Sequence, residues 1–213
     1  VTDLSTSHLT QYFVDESIIR VVCVDGQYVP GLSSVSAQHG IVVDSLSNLA
    51  AADVSSITQH LGQLAKHQSN PFVALNTAFM QEGIGIIISK NIAASAPVHV
   101  LFLATQQGVM ACPRCLLFAG ANSSVTLIEE YRALTDCAYT TNAVVEVILA
   151  GSANVNHIRL QRESHEAFHV ANTSVQVAHA ACYRSISIAL GAQISRFDQR
   201  ISLIDQHAQC SID

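Results

Sequence analysis

Apolar residues recur along this chain with two different periods. Between Ser45 and His67, residues Leu46, Leu49, Ala50, Val54, Ile57, Leu61 and Leu64 fall three and four apart, which predicts helix with one buried stripe. Ser45 and Asp53 are the N-cap candidates for two consecutive helices there. A third helix is expected over 71–80, with Asn70 as cap, Pro71 at the first helical position and Gly83 as its stop. Upstream, Ile18 to Val24 is a β-branched run ending in the turn signal Asp25-Gly26. That predicts a hairpin returning over Gln27 to Val29 and closed by Pro30-Gly31, with Ile41 to Val43 as a further short strand. The first fifteen or so residues are polar and lack a clear period. Residues 1–95 therefore read as a small, partly helical α/β unit.

After Pro97 the helical period disappears. Short β-rich segments follow one another: His99 to Ala104, Leu116 to Ala119, Val125 to Tyr131, Val144 to Leu149, Val155 to Leu160, His169 to Val177, Tyr183 to Leu190 and Ile194 to Ile204. A turn of small residues returns at Ser123-Ser124-Val125, Ala153-Asn154-Val155, Ala181-Cys182-Tyr183 and Ala208-Gln209-Cys210, at intervals of 30, 28 and 27. Two strands per period of about 30 is what one coil of a two-sheeted β-helix requires. A β-sandwich also has many short strands, but does not oblige one turn to return at one interval. Residues 96–213 are expected to form the β-helix core. Because Cys210-Ser211-Ile212-Asp213 falls inside the fourth turn, the expectation is a fragment whose core is truncated at its C-terminal end.

Composition narrows the function. Charged residues make up only 12% of the 213 against 49% hydrophobic, so Ser, Thr, Asn and Gln carry the surface, a composition suited to stacked strands and to a partner-covered face. A net charge of −6 offers no basic stripe for nucleic acid and no polybasic membrane patch. The apolar stretch at Ile84 to Ile88 is broken by Ser89, Lys90 and Asn91, well short of the roughly 18 residues of a spanning helix. No signal segment is visible at Val1-Thr2-Asp3-Leu4, and an intracellular, cytoplasmic setting with reduced cysteines is expected.

Three constellations carry possible chemistry. Cys112-Pro113-Arg114-Cys115 has the spacing of a redox pair or half a zinc site, but the following residues read as a strand, where positions three apart point to opposite faces. His157, His165, His169 and His179 lie close in sequence without H-x-H or H-E-x-x-H spacing; His165 falls in the polar loop Arg162 to Glu166. His169, Cys182 and Cys210 are the weak metal candidates, and no catalytic or cofactor-binding residue is nominated. Glu129, Glu130 and Glu146 could pair for glycoside chemistry, yet the chain has no Trp, and the adjacent glutamates point to opposite sides of one strand, which reads as a solvated edge. Neither G-x-x-x-x-G-K-[ST] nor G-x-G-x-x-G occurs, so no nucleotide site is encoded. A metal-dependent enzyme of cupin-like or carbohydrate-active kind, and a thiol redox module at Cys112 and Cys115, stand as alternatives to a scaffold.

The run Val22-Cys23-Val24-Asp25-Gly26-Gln27-Tyr28-Val29-Pro30-Gly31-Leu32-Ser33 resembles the SufB/SufD family of iron–sulfur cluster assembly subunits, on its SufD side. Further stretches agree: Leu61-Gly62-Gln63-Leu64-Ala65 with Asn70 to Phe79; Pro97-Val98-His99 with Pro113-Arg114; and Glu166 to His169 with Ser187 to Gly191 and Arg196-Phe197-Asp198. The resemblance implies a right-handed parallel β-helix. It also implies a non-catalytic scaffold of the SUF machinery, working with SufB-like and SufC-like (ATPase) proteins in cluster biogenesis and iron acquisition. By the same resemblance, the chain binds no cofactor tightly, and an iron–sulfur cluster arises only in the assembled complex. The family's SufC-binding helices and cluster-site histidine belong to its C-terminal half, so none is carried onto a residue here. Location would be cytoplasm, or plastid stroma in a plant-like source, and a homodimer through edge strands is an option. Ala192 stands where the family shows Leu-Gly-Gly, and alanine there would strain a turn with positive φ.

Overall fold

The computed structural model describes residues 4–13, 19–35 and 39–213. Ile18, expected to open the first strand, lies outside them. Two seven-stranded sheets face each other. The first contains β1 (Ile19–Val24), β2 (Gln27–Tyr28), β5 (Val98–Ala104), β8 (Ser124–Ala133), β10 (Asn154–Arg162), β12 (Cys182–Ala189) and β14 (Gln209–Ile212), in the order β14-β12-β10-β8-β5-β1-β2. The second contains β3 (Ile41–Ser45), β4 (Gly83–Ile88), β7 (Arg114–Ala119), β9 (Thr140–Leu149), β11 (Phe168–Val177) and β13 (Ile194–Leu203), in the order β13-β11-β9-β7-β4-β3, with β6 (Met110–Ala111) pairing β9 at its side. Among the strands of the described residues, the β1–β2 and β3–β4 pairs are antiparallel and the remaining pairs parallel. The chain is a β-solenoid: each coil gives one strand to each sheet and pairs with the coils before and after.

The repeated turn sets the register. Ser124 pairs with Asn154, Asn154 with Cys182 and Cys182 with Gln209, so the four turns that share a sequence signature lie directly over one another. Two residues before each, the backbone enters the left-handed region at Asn122, Ser152, Ala180 and His207, with φ between 52° and 61°, and Asn91 (φ 62°) begins the column. The first four N–H groups of the column donate to the coil that follows: Asn91 to Ala121, Asn122 to Gly151, Ser152 to His179 and Ala180 to Gln206. Asn122 Nδ2 also donates to Asn91 Oδ1 at 3.0 Å. All eight β segments expected after Pro97 are strands, with ends shifted by no more than a few residues. The Asp25-Gly26 hairpin is present too, with φ of 50° and 88° at the two turn residues.

Inward-facing residues alternate along the strands and fill the space between the sheets. Ile19, Val21, Ile84, Ile86, Val98, Val100, Leu117, Val145 and Val147 form its apolar end. The strands of this end are covered on their outer faces as well, which is why Ile84–Ile88 and Val98–Ala104 read as unbroken apolar runs. Helices α2 (Leu46–Ala51) and α3 (Ser55–Thr58) lay Leu46, Leu49 and Ile57 on Ile87, Leu116 and Ile148. Each such fully buried side chain contributes about 1.5–3 kcal/mol. On the other sheet, Leu9, from the short helix α1 (Thr6–Leu9), packs on Val22, Val24, Leu101 and Leu103.

Ser45 caps α2 as expected, accepting from Asn48 N at 3.1 Å, and Asn70 caps α4 (Pro71–Phe79) through Phe72 N and Val73 N. Two expectations are corrected. Val54, not Asp53, precedes α3, and Asp53 instead adopts φ 50° in the link between helices. Gly83 does not stop α4; it opens β4, where a Cβ would meet Leu46 Cδ1 at 2.4 Å. A Cβ on Gly85 would meet Leu49 Cδ1 at 2.3 Å, so the two glycines let α2 sit directly on the sheet.

Candidate functional site

Toward β10 and β11 the interior changes character. Glu129, His157, Arg159, Gln161, Glu163, His169 and Ser185 are buried between the sheets, alongside Tyr131 and Tyr183. Strand alternation puts Glu129, His157 and Arg159 on the inward face; the register sets Arg159 opposite Glu129 and His157 opposite Leu127, so His157 reaches Glu129 diagonally across the two strands. His157 Nε2 lies 2.7 Å from Glu129 Oε2, and its Nδ1 2.8 Å from the Tyr183 hydroxyl, which also accepts from Gln199 Nε2 at 3.1 Å. The Tyr131 hydroxyl donates to Glu129 Oε1. Beside this group, Arg159 Nη2 lies 2.5 Å from His169 Nε2. Arg can only donate, so Nε2 accepts and the ring proton sits on Nδ1, which is 2.6 Å from Glu163 Oε2. Thr141 Oγ1 and Gln161 Nε2 donate to the two oxygens of Glu163 at 2.6 and 3.1 Å. The Arg159 guanidinium is sandwiched between the rings of Tyr131 (5.6 Å) and Phe197 (4.5 Å).

Burial opposes ionisation of both interior glutamates, yet His157, Arg159 and Tyr131 around Glu129, and His169, Thr141 and Gln161 around Glu163, outweigh it and hold both carboxyls below their ordinary range. Burial and the Glu129 charge push the Tyr131 hydroxyl well up. The polar groups are thus mostly taken up by one another. The space beside Phe102 and Glu163 is about 10 Å³, room for one water at most.

Two further buried charge groups lie on the outer faces. Glu146 accepts from Gly62 N (3.0 Å), Leu64 N (3.1 Å), Ala65 N (3.1 Å) and Arg114 Nη2 (2.6 Å), clasping the segment after α3 to β7 and β9. Asn76, on α4, donates to Pro113 O and Asn142 O at 3.0 and 2.8 Å. On the opposite sheet, Glu130 holds Arg132 at 2.6 Å and His99 at 3.0 Å. Burial opposes the charge on Glu130, and these two neighbours still keep its carboxyl below the usual range.

Glu129 and Glu130 do point to opposite sides of β8, but the expected solvated edge is corrected: both are buried, one in the interior and one beneath the N-terminal segment. Cys112 and Cys115 are buried, and burial raises both thiols, the reverse of an activated dithiol. His165 is in the exposed loop after β10, and His179 is also exposed, beside His207 with ring centroids 5.7 Å apart. Of the metal candidates, His169 is engaged with Arg159 and Glu163, while Cys182 opens β12 and Cys210 is exposed on β14. Among the described residues no three His, Cys, Asp or Glu side chains converge as metal ligands. The interior partners Arg159, Glu163, Gln161 and Tyr131 are not visible as a motif. The signal that finds them is the coil period itself, which pairs Glu129 with Arg159 and Ser187 in neighbouring coils.

Two family models match this solenoid: the "SUF system FeS cluster assembly, SufBD core domain" over residues 102–213 and the "SufBD protein N-terminal region" over 15–100. The chain belongs to the SufBD family. An iron–sulfur cluster assembly SufBD family protein of Synechocystis sp. is 34% identical over 195 residues, covering 86% of this chain and 43% of its own length. The iron–sulfur cluster assembly protein SufD of Escherichia coli is 25% identical over 201 residues, covering 92% of this chain and 44% of its own length. A SufBD family protein of Staphylococcus haemolyticus is 23% identical over 137 residues. The chain spans less than half the length of these SufBD relatives. The boundary between the two SufBD models falls inside β5, and β1 and β4 hydrogen-bond to β5 and β7, so the N-terminal region and the SufBD core share both sheets. No helix among the described residues is long and apolar enough to cross a membrane.

Proposed function

We propose that this SufBD chain is a non-catalytic scaffold of SUF iron–sulfur cluster assembly, working in a complex with a SufB-like protein and a SufC-like ATPase, with iron and nascent clusters as cargo. The observation that carries the reading is the match of both SufBD models, laid over a solenoid whose buried polar residues engage one another. A solenoid is suited to this work because its coils present long, regular strand edges and faces to other proteins. The cellular site of the reading is the cytoplasm, or a plastid stroma.

Co-expression of the full protein with its SufB and SufC homologues tests it. The three proteins are expected to co-elute from a sizing column as one species. Separate elution of this protein from a formed SufB–SufC complex would refute the scaffold role.

A further inference from the structure

The helical cap covers the outer faces of β4, β7 and β9. Beyond it, between residues 65–73 and strands β11 and β13, lies an open cleft of about 450 Å³. Lys66, Arg196 and Arg200 line it, with Asp198 as the acidic group. This is unusual for a chain with ten Lys and Arg and a net charge of −6, in which Arg114 and Arg159 are buried and Arg132 is bound to Glu130. Asp198 Oδ2 accepts from Arg196 Nε and Nη2 at 3.1 and 2.9 Å, so Nη1 of Arg196 is outside that pair. Arg200 reaches only Ser69 Oγ, at 3.4 Å.

The cleft floor supplies an independent sign of a missing partner. Asn70 Oδ1 is committed to capping α4 through Phe72 N and Val73 N, so its amide must donate, and it does so to Asn172 Oδ1 at 2.6 Å. That fixes the orientation of Asn172 and leaves its Nδ2 without an acceptor, although Asn172 is only 4% exposed. A buried donor left unpaired costs about 1–3 kcal/mol, so an acceptor that fills the cleft recovers that loss. Because Asn70 already takes the first free N–H groups of α4, the helix itself contributes only its dipole.

We propose that this cleft binds an oxyanion of the phosphate class, free or as the phosphate ester of a small molecule. Its volume lies within the range of about 300–1,000 Å³ typical of small-molecule sites. The Ser69 hydroxyl is committed to Lys66 O at 3.0 Å, so the free donors are Arg196 Nη1, Arg200, Lys66 and Asn172 Nδ2, a spread of cationic and amide N–H groups that the several oxygens of a phosphate can serve together. The site is separate from the scaffold reading, because its test measures ligand occupancy on the protein alone.

Calorimetric titration of the full protein at low salt, with inorganic phosphate in one arm and glycerol phosphate in the other, provides that test. Saturable one-to-one binding is expected in at least one arm, and the stronger arm identifies the source. Lys66 and Arg200 are exposed, so Lys66→Gln/Arg200→Gln leaves the core intact and should weaken binding at least about tenfold. Asn172→Asp keeps the acceptor for Asn70 but replaces the free donor with a negative charge, and should abolish binding. Absence of saturation in both arms, or unchanged affinity in the Lys66/Arg200 double variant, would overturn the proposal.

Discussion

Removing the Glu146 carboxylate should detach the helical cap from the solenoid. Glu146 is fully buried and accepts three backbone N–H groups and one guanidinium N–H, while Arg114, itself 3% exposed, has this carboxylate as its charge partner. Glu146→Ala therefore leaves a buried cation and three backbone donors without acceptors. Breaking a buried pair in this way costs about 3–5 kcal/mol. The orphaned N–H groups can recover water as the cap loosens, which keeps the total near that range rather than at the sum of all four bonds. Glu146→Leu/Arg114→Leu removes both charges and should recover part of the loss, so the cycle of single and double variants isolates the pair. The assay is urea unfolding with limited proteolysis between Gln59 and Asn70, which should accelerate in Glu146→Ala. A loss below about 1 kcal/mol, with unchanged proteolysis, would show that Glu146 does not clasp the cap.

Stability should also depend on acid. The carboxyls of Glu129 and Glu163 are held below their ordinary range in the folded chain. Their contribution is therefore complete above the unfolded-state value near about 4.3 and is lost as pH falls through the lower folded-state values. The urea midpoint should fall on acidification below about pH 5, and His157→Gln, which removes the main support of Glu129, should move that fall to higher pH; superimposable acid limbs in parent and variant would contradict the assignment. Ala180 and Ala192 adopt φ of 52° and 70°. Relief of about 1–2 kcal/mol of left-handed strain against about 0.5–1 kcal/mol of added chain entropy makes Ala180→Gly and Ala192→Gly each stabilising by about 0.5–1 kcal/mol, a rise of about 1–4 °C in melting temperature, and a fall would refute the strain.

The solenoid was legible because its cause is local and repeated: a left-handed turn residue followed by small side chains returns at nearly every coil, so one interval in the sequence is also one rung in space. The strands at the apolar end were legible for a similar reason, being covered on both sides. The polar interior was not. His157 and Glu129 are 28 residues apart on strands set 30 apart, so their contact is diagonal, and each looks solitary until both the coil spacing and the inward face are known. Reading Glu129-Glu130 as a solvated edge failed because alternation fixes only which side a residue faces, and both sides of β8 are covered. Gly83 misled because a glycine that ends a helix and one that admits a helix onto a sheet look the same in sequence. The open cleft depends on where the cap stops, a property of three-dimensional coverage that no local pattern records.

The change from a dry to a polar interior along the axis bears on how the coils find their alignment. Where Ile and Val repeat inward, sliding one strand by two positions exchanges like for like, and misalignment meets little resistance. At β8 and β10 the same slip would take Arg159 off Glu129 and set it opposite either Leu127 or Tyr131, so the polar contacts of the native register are lost. The buried polar contacts thereby act as a key cut into an otherwise uniform stack, letting one threading of the coils close and leaving its shifted neighbours ajar.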